Sequence, residues 1–178
     1  MHFEGVGDLL ACGDILVGGY GFRSDLLAIR HVSEMLDMGL VPLELVDPWF
    51  YHVDTCFFFL SDETVFYYPE AFTEAGQNLI KARFRDAIAV SREDARRFVC
   101  NAIVVGHQVI MSKDCSRTRL ALEARGYTTI ELDLSEFLRA GGAAKCLTLF
   151  LRRDSVVLAT TESYGSGARS HRTPTIRA

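Results

Sequence analysis

Apolar positions along this chain change their spacing several times, and the changes recur in one order. "DLLAC" (8–12) and "DILVGG" (14–19) are short apolar stretches that predict two strands. From about Ser24 the spacing lengthens. Leu26, Leu27, Ile29, Val32, Met35 and Leu36 share one side of a helix that should stop near Gly39. "LVPLELV" (40–46) then returns to a strand pattern. The same order follows in "HVDTCFFFL" (52–60), "TVFYYP" (64–69), a helix from about Glu70 to Phe84, and "DAIAV" (86–90). A third round comprises "NAIVVG" (101–106), "QVIMS" (108–112), a helix from about Ser116 to Arg125 ended by Gly126, and "YTTIELD" (127–133). "KCLTLFL" (145–151) reads as the first strand of a fourth round. Short helices are expected at Ser91, where Ser-x-x-Asp resembles a capping box, and at Ser135. The pattern is therefore a repeated strand–strand–helix–strand unit.

At the head of the four rounds stand Asp8, His52, Asn101 and Cys146, separated by 44, 49 and 45 residues. Periods of this size mark stacked or radially arranged units. Units related by rotation about an axis turn residues of equal phase toward one point. An acid, an imidazole, an amide and a thiol would then meet. Taken alone, Cys146 reads as one more buried thiol and His52 as a polar residue between aromatics. The shared phase changes both readings.

Composition narrows the function classes. The chain has 178 residues, enough for one ordinary domain or part of a larger one, with 49% hydrophobic and 24% charged residues. Its net charge of -4 offers no basic surface, so no nucleic-acid or membrane partner is expected. No apolar run reaches the roughly 18 residues a membrane span needs. Cys12, Cys56, Cys100, Cys115 and Cys146 are scattered without a C-x-x-C pair, which suggests neither a zinc site nor a disulfide framework. A reducing cytoplasm is the expected setting, and no metal or cofactor is called for. The four cysteines other than Cys146 are expected in the interior. "GGYGFR" (18–23) lacks the lysine and spacing of a phosphate loop. The start at "FEGVGDLL" shows no leader, preceding strand or cap, unlike a complete domain. The last residues, rich in Ser, Thr, Gly and Arg, read as a disordered tail over 159–178, leaving 1–158 as the folded part.

Five motifs carry a family resemblance: "FEGVGDLL" (3–10), "GFRSD" (21–25), "YHVDT" (51–55), "CNA" (100–102) and "LSEFLRAGGAAKCLTL" (134–149). In this order and spacing they resemble the later part of guanidino-modifying enzymes of the pentein superfamily. That group includes dimethylarginine dimethylaminohydrolases, arginine deiminases and arginine dihydrolases. The resemblance implies an α+β chain forming a partial, pentein-like α/β propeller of ββαβ modules. About two modules are expected before "FEG", so the chain should be a C-terminal part of such a domain. Completion from a missing N-terminal segment or by self-association into a homo-oligomer is therefore expected.

The resemblance also assigns roles: nucleophile to Cys146, general acid/base to His52 and its carboxylate partner to Glu4. Arg23 would contact a substrate carboxylate, and Asp54 with Asp8 would contact a guanidinium. Asn101 would line the site. The chemistry is coherent. A guanidinium is planar, always charged and best gripped by carboxylates. Its delocalised central carbon calls for a thiolate as attacker, and one imidazole can protonate the departing amine and later deprotonate water. The Gly141-Gly142 pair would let backbone approach the reacting carbon. The expected activity is cysteine-dependent hydrolysis of the guanidino group of arginine or an Nω-methylated arginine. The alternatives are an amidinotransferase of the same fold and a non-catalytic binding or scaffold protein.

Overall fold

A computed structural model describes residues 1–149. The predicted tail and the end of the predicted fourth strand lie outside the described residues. Three small sheets follow one another. Each is an antiparallel hairpin whose second strand pairs in parallel with a third strand after a helix. The first sheet joins β1 (Leu9–Cys12), β2 (Ile15–Tyr20) and β3 (Gly39–Glu44), with α1 (Leu26–Leu36) as the crossover. The second joins β4 (Phe57–Phe59), β5 (Thr64–Tyr67) and β6 (Asp86–Ala89) through α2 (Glu74–Arg83). The third follows α3 (Arg92–Arg96) and joins β7 (Ile103–Val105), β8 (Gln108–Ser112) and β9 (Thr128–Leu132) through α4 (Ser116–Glu123). A last short helix, α5 (Ser135–Arg139), leads to the cysteine segment. The ββαβ repeat and the α+β class are thus present in the described residues.

Local chemistry explains the boundaries. α1 ends on Asp37, whose left-handed φ of 51° lets its N–H close the last turn. α2 begins at Glu74 and not at the expected Glu70. Pro69–Ala71 forms a separate 3-10 turn, Phe72 is extended, and the Thr73 hydroxyl accepts the N–H of Gly76. A hydroxyl cap outcompetes a start that would have to run through Phe72. Ser91 caps α3 by accepting the Asp94 N–H, as its motif predicted.

One buried cluster runs through all three units. Leu10, Val17 and Leu43 join Phe57, Phe66 and Tyr67, then Val109, Met111 and Leu122. The aromatic runs of the second unit are core, with Phe57 and Phe66 fully buried. Backbone bonds from Val46 to Ala71 and from Thr73 to Glu44 tie the first unit to the second. A two-pronged Arg125–Asp86 contact and a bond from the Tyr127 hydroxyl to the Leu60 carbonyl tie the second to the third.

Two strand expectations need correction. His52 precedes a 3-10 turn at Val53–Thr55, and its strand begins only at Phe57. Lys145–Leu147 is likewise a 3-10 turn, not a strand. Its backbone donors are already committed. The Cys146 N–H goes to the Asn101 side chain and the Lys145 N–H to the Asn101 carbonyl, leaving none for a ladder.

Candidate active site

Three single turns, Gly5–Gly7, Val53–Thr55 and Lys145–Leu147, come together around one cavity of about 770 Å³. Glu4, His52, Asp54, Lys145 and Cys146 line its polar side, and Leu9, Leu16, Val104 and Leu149 line its apolar side. Thiol, imidazole and two carboxylates therefore share one space. They do not share one phase: Asp8 stands one residue before β1, His52 five before β4 and Asn101 two before β7. The turns converge because each unit begins at the same end, and each turn offers a different position.

The imidazole is held from two sides. Glu4 Oε2 lies 2.7 Å from His52 Nε2, and this contact, ahead of the nearby Arg23 charge, keeps the Glu4 carboxyl below its ordinary range. Gly7 packs against the other ring nitrogen so closely that a Cβ there would stand 2.7 Å from Nδ1. The ring of Tyr51 lies 4.7 Å from the imidazole centroid, its hydroxyl donates to the Gly141 carbonyl at 2.7 Å, and the Arg23 guanidinium lies over it at 5.2 Å. Gly141 makes this approach with a left-handed φ of 92° that favours glycine. Tyr51 thus connects the histidine, the arginine and the cysteine segment.

Asp54 sits beside the sulfur. Its Oδ2 accepts from Lys145 Nζ at 2.7 Å and lies 4.0 Å from Cys146 Sγ, while its buried Oδ1 has no hydrogen-bond partner. Burial raises the Asp54 carboxyl, and the Lys145 ammonium partly offsets that rise. Burial also raises the Cys146 thiol, with the Asp54 charge adding to it. Lys145 and a bond from Asn101 oppose these effects. The Cys146 sulfur therefore stays protonated more readily than that of a free cysteine.

Two expected site residues lie beneath the cavity. Asp8 is fully buried, and its Oδ1 accepts the Val53 N–H at 3.2 Å. Burial raises its carboxyl against the pull of Ser24 and His52. It supports the His52 turn from below. Asn101, 1% exposed, uses its whole amide internally. Oδ1 accepts the Ala143 and Cys146 N–H groups at 3.0 and 3.1 Å, and Nδ2 donates to the Asp54 carbonyl at 3.2 Å. It joins the two turns that carry Asp54 and Cys146, and it does not line the pocket. Arg23 is not among the residues lining the cavity and stands 3.5 Å from Glu4, which is. Sequence reasoning assigned no role to Lys145 or Tyr51, although each lies within one of the five motifs.

Of the other cysteines, Cys56, Cys100 and Cys115 are buried as expected. Burial pushes the Cys115 thiol up to about 12 and those of Cys56 and Cys100 well above the ordinary value. Cys12 is only half-buried, because β1 is short and its end lies beside Asp62, whose carboxylate accepts from the thiol at 3.1 Å. Among the described residues no group of three or more His, Cys, Asp and Glu could hold a metal ion. No helix of the described residues is long and apolar enough to cross a membrane.

A cysteine, a carboxylate-held histidine and a second acid line one cavity. The comparisons give the family. The model described as "N,N dimethylarginine dimethylhydrolase, eukaryotic" matches residues 3–153, and the chain belongs to that family. It is 44% identical over 146 residues to a dimethylarginine dimethylaminohydrolase of Mycobacterium tuberculosis, covering 82% of this chain and 48% of that protein. It is 43% identical to the bifunctional arginine dihydrolase/ornithine cyclodeaminase AgrE of a Nostoc species, covering 84% of this chain and 22% of that one. The product-bound N-terminal domain of ArgZ, an arginine dihydrolase of cyanobacteria, superposes with a TM-score of 0.79 at 43% identity. That match covers 83% of this chain and 55% of the domain. The chain thus spans about half the length of the mycobacterial relative. These matches fall on the N-terminal domain of the cyanobacterial proteins, so the expected C-terminal placement does not hold for them.

Proposed function

We propose that this chain carries the catalytic centre of a cysteine-dependent hydrolase. Its substrate is the guanidino group of arginine or of an Nω-methylated arginine. One observation carries the reading: Cys146, His52, Glu4 and Asp54 line a single cavity. The relatives, whose names describe dimethylarginine and arginine hydrolysis, support the substrate class.

Each group has a task that its surroundings allow. Asp54 attracts the guanidinium and fixes its plane beside the sulfur. The incoming cation offsets the negative field that raises the thiol, so substrate itself promotes loss of the Cys146 proton, by way of solvent, to His52 and leaves the thiolate. Attack forms the C–S bond. His52 then gives its proton to the leaving nitrogen as the C–N bond breaks, leaving an S-alkylthiouronium and ammonia or a methylamine. The neutral imidazole next takes a proton from water, which adds to the same carbon. Breaking the C–S bond frees a citrulline-type ureido product and the thiolate. Glu4 steadies the imidazolium through Nε2, leaving Nδ1 for proton exchange. Asn101 sets the position of Cys146, Asp8 supports the His52 turn, and Arg23 receives the substrate carboxylate.

The free nucleophilic thiol suits a reducing cytoplasm, and 1–158 is proposed as the folded unit of a pentein-like propeller. Size-exclusion mass of the active species shows whether copies of this chain associate to complete it. The test of function is formation of a ureido product from arginine and from Nω,Nω-dimethylarginine, compared with Cys146→Ser and His52→Ala. Product from the parent but from neither variant supports the assignment, and full turnover by Cys146→Ser refutes it. A new guanidino compound formed only when an acceptor amine is added would indicate amidino transfer.

A further inference from the structure

The Lys145–Asp54 contact places a cation where the proposed substrate must bring its own. Lys145 Nζ lies 2.7 Å from Asp54 Oδ2 and also donates to the Val6 carbonyl at 3.0 Å. Cys146 Sγ is 4.0 Å from the same Oδ2. A guanidinium gripped by Asp54 with its carbon against the sulfur must therefore take the space of the lysine ammonium. Asp54 Oδ1, buried and without a partner, is the second acceptor that a forked donor needs.

We propose that Lys145 is a built-in competitor for the cation seat on Asp54, and that it lowers the affinity of the site for every cationic ligand that must displace it by one common factor. The inference rests on the reading of Asp54 as the guanidinium grip. A ligand ending in a single ammonium must replace Lys145 one for one. The tether keeps Lys145 always at hand, at a high effective concentration. A guanidinium must displace it likewise, whatever its own two-pronged grip on the carboxylate adds. The side chain can leave without disturbing the nucleophile. The backbone N–H of Lys145 stays bonded to the Asn101 carbonyl, and the cavity of about 770 Å³ has room for the displaced chain.

The test measures binding without turnover, in a Cys146→Ser background, by titrating arginine and ornithine calorimetrically. Lys145→Met should tighten both ligands by the same factor, roughly tenfold, because removing an internal competitor restores the binding-competent fraction. Lys145→Arg should weaken both, since its fork fills the seat better than an ammonium. If the parent binds arginine but Lys145→Met tightens neither ligand, the inference fails while the proposed function stands. If the parent binds neither ligand, the reading of Asp54 fails and takes the inference with it. Should Lys145→Met not fold, Lys145→Arg decides alone: arginine binding as tight as in the parent overturns the competitor role.

Discussion

Replacing Asn101 by alanine is the sharpest probe of how the nucleophile is held. The amide satisfies the N–H groups of Ala143 and Cys146 and the carbonyl of Asp54, and Ala143 is fully buried. Removing it strands two donors and an acceptor. A buried unsatisfied group costs about 1–3 kcal/mol, and Cys146 is open enough for water to serve part of the loss. The expected destabilisation is about 3 kcal/mol. With a urea slope of about 1–3 kcal/mol/M, the unfolding midpoint should fall by about 1–3 M. Asn101→Asp separates the two halves of the role. It still accepts both N–H groups but donates nothing to the Asp54 carbonyl, and its charge further disfavours the thiolate. Urea unfolding followed by circular dichroism gives the stability. The pH dependence of Cys146 alkylation gives the thiol's condition, with Asn101→Asp shifted to higher pH. A loss below about 0.5 kcal/mol in Asn101→Ala, with an unchanged alkylation profile, would show that something else fixes the cysteine segment.

Further outcomes follow from other contacts. Gly7→Ala places a Cβ 2.7 Å from His52 Nδ1, so the ring must move off Glu4; kcat should fall by about 10²-fold or more with folding retained. Asp54→Asn removes a negative charge that raises the Cys146 thiol, so alkylation should move to lower pH. Burial, the larger cause, remains, and the profile should stay above that of a free cysteine. A shift to higher pH would contradict the assignment of that field. Asp94→Ala, far from the cavity, strips the buried carboxylate that accepts both the N–H and the hydroxyl of Thr118 at 2.8 and 2.7 Å. It should cost about 2–4 kcal/mol in urea unfolding while leaving Cys146 alkylation unaltered.

Much of the fold was legible because its signal is local. The alternation between strand spacing and helical spacing marked all nine strands of the described residues and the three crossover helices to within a few residues. Ser91 announced its helix by side-chain chemistry alone. The failures share one cause, since a turn has no period. Val53–Thr55 and Lys145–Leu147 looked like strand beginnings because apolar neighbours adjoin them, and what makes them turns is bonding to distant residues. Near-equal spacing of Asp8, His52, Asn101 and Cys146 pointed to the right place for an imperfect reason. The units do converge, but Asp8 and Asn101 face the protein beneath the site, and spacing along the chain cannot tell a lining residue from a supporting one. Lys145 was visible beside Cys146, yet its partners Asp54 and Val6 lie 91 and 139 residues away. Only the folded arrangement gives it a role.

The central claim is that the thiol of residue 146 attacks a guanidino carbon within reach of residue 52. Acid quenching of the chain shortly after mixing with arginine, followed by peptide mass mapping, tests it directly. The account predicts a covalent amidine adduct on the Cys146 peptide, absent in Cys146→Ser. With arginine demonstrably bound, an unmodified Cys146, or an adduct on Cys12 in its place, would contradict it.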